Sequence, residues 1–101
     1  MNVVGKYKVI LFYSRYNWES QRTRMSLRKF LEEQWRNHKY YLTEVDYEVE
    51  RESIREYAVT GIPTVLIYRD DLLVCKRVGE ISYHEFEKLF NQILEDQNET
   101  E

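Results

Sequence analysis

The 101-residue sequence contains few of the residues that cross-link or bend a chain: one cysteine, one proline and three glycines. The single cysteine, Cys75, excludes an internal disulfide and a cysteine-rich metal site. The two histidines, His38 and His84, lie far apart and lack the spacing of metal ligands. The sequence therefore gives no indication of a metal site, and we expect no cofactor.

Long apolar runs are also missing. The longest, from Val9 to Tyr13, has the length of a strand, whereas a membrane helix needs roughly 20 residues. The N-terminus lacks the apolar stretch and the cleavage site of a signal peptide. We therefore expect one domain, located in the cytoplasm and without a membrane partner.

The net charge of −3 is distributed unevenly. Residues 1–40 hold nine Lys/Arg and three Asp/Glu, whereas residues 41–101 hold six and fifteen. Two interpretations of the basic cluster remain open: a solvated helix surface, which is the commoner meaning of such patterns, or a site for a phosphate or an acidic peptide. A nucleic-acid partner is not expected, since the chain is acidic and lacks a recognition motif. The basic cluster consists of Arg15, Arg22, Arg24, Arg28 and Lys29.

Hydrophobic periodicity predicts the element order β-α-β-α-β-β-α. Inward-facing side chains are expected at helical spacing in each helix. The predicted strands are Lys8–Ser14, Tyr40–Asp46, Thr64–Tyr68 and Leu72–Val78, and the predicted helices are Glu19–Asn37, Val49–Tyr57 and a helix that begins after Ser82. The predicted inward-facing residues are Met25, Leu27, Phe30, Leu31 and Trp35 in the first helix, Ile54, Tyr57 and Ala58 in the second, and Phe86, Leu89, Phe90 and Ile93 in the third.

The ends of these elements carry further signals. Ser82, with Glu85 three residues later, predicts a capping box for the last helix. A right-handed crossover would make the first two strands parallel, and residues 69–71 would connect the last two as a hairpin. The result is an α/β domain over residues 1–94, with one mixed four-stranded sheet between helices. The acidic residues 95–101 are expected to form a flexible, frayed tail.

Motifs in the second half of the chain support this order. Asp46 ends a strand, the loop Thr60-Gly61-Ile62-Pro63-Thr64 follows the second helix, and Arg77-Val78-Gly79 precedes Ile81-Ser82. Together they resemble the thioredoxin family from about Lys8 to Leu94. The resemblance implies a minimal three-layer α/β/α sandwich, a cis bond before Pro63, and peptide-like ligands that add beside that turn as an extra strand.

The same resemblance places Asn17-Trp18-Glu19-Ser20 on the family's redox motif, where Asn17 and Ser20 replace its two cysteines. Thiol–disulfide exchange requires a thiolate and a partner thiol, which neither residue supplies. Leu11 and Met25 also replace a buried aspartate and a helix proline that many thioredoxins carry. The resemblance thus implies the scaffold without its dithiol chemistry, and no catalytic residue. We interpret Ser20 as a helix cap and not as a nucleophile, because serine is a preferred N-cap residue.

The leading functional hypothesis is a module that binds a peptide, a protein or a glutathione-like ligand. An exposed Trp18 beside Tyr16 would provide an aromatic contact, although Trp18 could instead fold back into the vacated redox site. The binding residues expected are Tyr16, Trp18, Glu19, Thr60, Gly61, Ile62, Pro63 and Gly79. One alternative is a thiol-dependent oxidoreductase that uses Cys75, which strand burial disfavours. Another is an oligomer that buries the exposed aromatic residues.

Overall fold

The computed structural model describes residues 6–99, and it contains four strands and three helices within that range. The predicted element order is confirmed, and the second and fourth strands have the predicted bounds. The elements are β1 (Tyr7–Tyr13), α1 (Trp18–Gln34), β2 (Tyr40–Asp46), α2 (Arg51–Glu56), β3 (Thr64–Arg69), β4 (Leu72–Val78) and α3 (Tyr83–Glu99).

The strands form one mixed sheet in the order β2-β1-β3-β4. β1 runs parallel to β2 and antiparallel to β3, and β3 and β4 form the expected antiparallel hairpin. Asp70, in the tight turn between them, has a φ of 55°. The hairpin ladder contains one irregularity, between Ile67 and Tyr68. The predicted mixed four-stranded sheet is confirmed.

The sheet separates two hydrophobic clusters because successive strand residues point to opposite faces. Val9 and Leu11 of β1 face α1 and α3, whereas Ile10 and Phe12 face α2. The larger cluster is aromatic at its centre: the ring centroids of Phe30 and Phe90 are 5.0 Å apart. Helices therefore cover both sides of the sheet, as in the predicted α/β/α arrangement.

The smaller cluster is the one beneath α2. Its buried residues are Ile10, Phe12, Val45 and Leu66, against which Ile54 and Tyr57 pack half-buried. α2 contains no fully buried residue, and its N-cap, Glu50, makes no side-chain capping bond. This face of the sheet is covered lightly.

Two predicted core positions are wrong. Met25 is 71% exposed, because the buried positions of α1 at that spacing are taken by the polar residues Ser20 and Thr23 together with Leu27. Ala58 is exposed and has a φ of 54°, so it lies just beyond the end of α2 and not on its inner face.

The bounds of the helices also differ from the predictions. α1 ends at Gln34 and not at Asn37, with Trp35 as its C-cap, and α2 is shorter at both ends. α3 continues through Glu99, where we predicted a frayed tail from Glu95. The Gln92 amide donates a hydrogen bond of 3.1 Å to Asp96, which supports this last part of the helix. The domain limit at Leu94 stays a prediction, and residues 100 and 101 lie outside the described range.

The capping box of α3 has the predicted geometry. The Ser82 hydroxyl accepts from the Glu85 N–H at 3.2 Å, and the Glu85 carboxylate accepts from the Ser82 N–H at 2.8 Å. Over residues 6–99, none of the helices is both long and apolar enough to span a bilayer.

Candidate functional site

The topology brings the predicted site segments to one end of the sheet. Phe12, near the carboxyl end of β1, pairs with Thr64, the first residue of β3. The chain that leaves β1 and the turn that enters β3 therefore lie side by side. The first segment contains Tyr16 and Trp18, and the second contains Pro63.

Asn17 is the residue that caps α1. Its side-chain oxygen accepts from the Ser20 N–H at 2.7 Å, and its own N–H donates to the Ser14 carbonyl at 3.2 Å. The cap predicted at Ser20 is therefore wrong: Ser20 lies inside the first turn and is fully buried. Its hydroxyl has no hydrogen-bond partner among the described residues, so no base activates it.

The turn before β3 is held by its own backbone and by the end of β4. The Ile62–Pro63 peptide bond is cis, and the Pro63 carbonyl accepts from the Gly79 N–H at 2.8 Å. Gly79 has a φ of +107°, a conformation that favours glycine. The Thr64 hydroxyl donates to the Gly61 carbonyl at 2.6 Å. Gly79 and Pro63 are thus neighbours.

Two contacts tie α1 to the segment that follows Gly79. The Arg22 guanidinium donates to both oxygens of Glu80 at 2.7 and 2.9 Å. The Ile81 N–H donates to the Thr23 hydroxyl at 3.1 Å, in a buried position. Since Glu80 directly follows Gly79, the first two turns of α1 and the Pro63 turn belong to one connected surface.

The aromatic residues of this surface point to solvent. Trp18 is 76% exposed and Tyr16 is 78% exposed. Trp18 therefore does not fold back into the space beside Ser20, and its role as an aromatic contact stays a prediction. Glu19 and Thr60 are also exposed, Gly61, Ile62 and Gly79 are half-buried, and Pro63 is buried.

Val78 is a member of this surface that sequence reasoning missed. It is 55% exposed, it pairs with Thr64, and its methyl carbon lies 3.0 Å from the place where a Cβ at Gly61 would be. Its position directly before Gly79 was the available signal. Val78 adds an apolar side chain on the β4 side of the Pro63 turn.

Four of the five residues of the basic cluster are paired with acidic residues of the chain. Arg15 pairs with Asp46 at 2.6 Å, and Arg24 and Arg28 both bind Glu44 of β2. Burial alone would raise the pKa of Glu44, but hydrogen bonds from the two arginines outweigh it and lower that pKa. With Arg22 on Glu80, each of these four arginines has an acidic partner, which favours the solvated-surface interpretation over an anion site.

Cys75 lies away from the Pro63 turn. It pairs with Ile67 in the middle of the β3–β4 hairpin and is half-buried against the larger hydrophobic cluster. Burial raises the pKa of its thiol, and the opposing effect of Arg77 is smaller. A raised pKa leaves less of the reactive thiolate at neutral pH.

Within residues 6–99, no three Asp, Glu, His or Cys side chains are grouped so as to hold a metal ion.

Comparisons with known proteins found similar solved structures but no match by sequence. No protein-family model matches the chain, and no curated protein is similar to it in sequence. Thioredoxin-2 of a malaria parasite, described as a component of that parasite's protein secretion machinery, is 15% identical with a TM-score of 0.77, and the match covers 90% of this chain and 86% of that one.

Two further solved structures are similar. The thioredoxin of Fasciola hepatica is 17% identical with a TM-score of 0.74, over 88% of this chain and 82% of that one. Mitochondrial thioredoxin 3 of Saccharomyces cerevisiae is 21% identical with a TM-score of 0.71, over 85% and 77%. At identities this low the likeness establishes the fold alone: the chain has a thioredoxin-like fold, as its motifs predicted.

Proposed function

We propose that this thioredoxin-like domain is a binding module that holds a peptide or protein segment where Trp18 and the Ile62–Pro63 turn meet. The observation that carries the proposal is the exposure of Trp18 and Tyr16 on either side of the Asn17 cap. Large aromatic side chains exposed together are typical anchors of interfaces. Ile62 and Val78 would extend the apolar contact area across the turn.

Dithiol chemistry is not part of this proposal. With one cysteine, the chain cannot form an internal disulfide, and Asn17 and Ser20 carry no sulfur. A monothiol function through Cys75 would need an accessible thiolate, and burial raises the pKa of that thiol. We expect no catalysis of insulin disulfide reduction by dithiothreitol above the rate without protein.

The test uses a random-peptide display library selected in parallel on the wild-type chain and on Trp18→Ala. We expect peptides that bind the wild type and lose on the order of tenfold or more in affinity with the variant, as for an interface hot spot. Trp18 provides its own signal: its fluorescence should shift to the blue when a peptide covers it, whereas Trp35 is already buried. Met25→Ala is the control, since Met25 is comparably exposed elsewhere on α1.

Several results would count against the proposal. Peptides that bind Trp18→Ala as tightly as the wild type would remove Trp18 from the site. Glutathione that quenches or shifts the Trp18 signal, with no peptide selected, would replace the peptide by a small ligand. Sedimentation that shows Trp18-dependent self-association would assign the aromatic residues to an oligomer interface.

We also propose a cytoplasmic location, because a chain with a lone cysteine needs no oxidising compartment.

A further inference from the structure

A groove of about 380 Å³ lies on the lightly covered face of the sheet, between α2 and the loops at its two ends. Its volume is within the usual range of ligand sites. Its walls combine apolar and aromatic side chains with two guanidinium groups. Its lining residues include Tyr47, Arg51, Ile54, Arg55, Val59 and Thr60.

The two arginines of the groove differ from those of the basic cluster. Arg51 and Arg55 are four residues apart on one side of α2, so their side chains are neighbours along the helix. Among the described residues, neither forms an ion pair with a carboxylate. Arg15, Arg22, Arg24 and Arg28, in contrast, are each engaged by an acidic residue.

Acidic residues are close by but outside the groove. Arg51 shares a neighbouring hollow with Glu50 and Glu52, and Arg55 shares another with Glu52 and Glu56. The groove walls themselves contain no carboxylate. Both arginines are exposed and line the groove, so a negative group that enters it from solvent meets two guanidinium groups beside Ile54 and Val59.

The groove borders the chain segments that lead to the surface around Trp18. Thr60 lines the groove and is followed directly by Gly61, Ile62 and Pro63. On the other side, the Tyr47 N–H donates to the Tyr13 carbonyl at 2.8 Å, and the Ser14 hydroxyl donates to Glu48 at 2.9 Å. The chain that leads to Tyr16 thus borders the groove wall.

From this arrangement we infer that the bound segment is acidic: an Asp or Glu side chain of the peptide occupies the groove and is bound by Arg51 and Arg55, while a neighbouring apolar residue packs on Ile54 and Val59. Guanidinium groups suit a carboxylate because they donate paired hydrogen bonds in a fixed plane. The inference rests on the proposed peptide-binding function and adds the chemistry of its ligand.

The test extends the selection from the display library. Peptides are selected on the wild type, on the double variant Arg51→Gln/Arg55→Gln, and on Arg36→Gln/Arg77→Gln, which removes two positive charges outside the groove. A selected peptide is then compared with its amide version, in which each Asp or Glu becomes Asn or Gln. Equal thermal midpoints for the three proteins establish that all are folded.

We expect acidic residues to be enriched on the wild type and on the control variant, and not on Arg51→Gln/Arg55→Gln. The wild type should bind the acidic peptide about tenfold more tightly than its amide version, and added salt should weaken this preference. The double variant should bind both peptides alike. A wild type that binds the two versions equally, or a control variant that loses the preference as well, would overturn the inference.

The two proposals fail in different ways. Peptides that depend on Trp18 but show no acidic preference leave the binding function standing and overturn the acidic ligand. Another outcome is a set of acidic peptides whose affinity falls in the Arg51→Gln/Arg55→Gln variant but is unchanged in Trp18→Ala. That result would support the groove and overturn the site at Trp18. A selection that enriches no peptide on the wild type overturns both.

Discussion

The two faces of the sheet are covered very differently. On one face, α1 and α3 are each 17 residues long and bury a continuous aromatic and aliphatic cluster. On the other face, α2 has six residues and none of them is buried. The difference indicates that the first face stabilises the fold, whereas the second leaves surface and side chains available for another role. Substitutions on the two faces test this difference, beginning with the one that should cost the most stability.

Truncation of one side chain on each face is the strongest test. Phe90 is fully buried between Phe30 and Trp35, so Phe90→Ala should lower the free energy of unfolding by about 3–5 kcal/mol. Ile54 is half-buried, and Ile54→Ala should cost only about 1–2 kcal/mol. Urea denaturation measures both changes. Equal losses would show that the α2 face is as important for stability as the other.

The ion pairs at the edge of the α1 face should make stability depend on pH. Glu44 accepts from Arg28 at 2.7 Å and from Arg24 at 3.1 Å, and its pKa in the folded chain is lowered. The stabilisation is therefore present above the unfolded pKa of about 4.3, and it is lost as the pH falls through the lower folded value. Glu44→Gln should cost about 1–3 kcal/mol at neutral pH, and much of this difference should disappear in acid.

A matched variant separates this pair from ordinary surface charge. Glu80→Gln removes the partner of Arg22, but both side chains of that pair are well exposed. It should change the free energy of unfolding less than Glu44→Gln does, because solvent screens the pair. A larger effect for Glu80→Gln would mean that the contact between α1 and the segment after Gly79 is the more important one.

Helix capping provides the finest comparison. Ser82→Ala removes the cap of α3 and should lower stability by about 1 kcal/mol. α2 has no equivalent side-chain bond to lose. Its amides should exchange with solvent faster than those of α1 and α3 in the same sample, through local opening. Protection of α2 equal to that of α3 would contradict the view that it is the weakly held element.

Much of the fold follows from local patterns. The strands Tyr40–Asp46 and Leu72–Val78 were predicted with their observed bounds, because alternating or β-rich runs are bounded there by turn residues. The capping box at Ser82 was also readable, because its two bonds connect residues three apart. Motif spacing around Pro63 then indicated which known fold these elements assemble into.

Burial in α1 was harder to read because polar residues occupy core positions. Met25 was expected inside on hydrophobicity, but Thr23 is the buried residue, since its hydroxyl accepts from the Ile81 N–H. That bond joins residues 58 positions apart, and it depends on where the chain segment before α3 lies relative to α1. A pattern within one helix cannot show that a threonine has a distant partner.

The positive charge of α1 was misleading in the sequence for the same reason, because its acidic partner lies on a distant element. In the sequence, Arg24 and Arg28 belong to a basic cluster, while Glu44 belongs to the acidic half. The parallel pairing of β1 and β2 brings Glu44 beneath α1, where it forms ion pairs with both arginines. Arg51 and Arg55, which are surrounded by glutamates in the sequence, are the ones that line a groove without a carboxylate in its walls.

The bonds that join Pro63 to Gly79, and Glu80 and Ile81 to α1, have a kinetic consequence. They hold three separate parts of the chain in one arrangement before anything binds. A ligand that docks there does not need to order the backbone first, which reduces the entropic cost of association. Binding should then follow a single exponential whose rate rises linearly with ligand concentration, without a slow conformational phase.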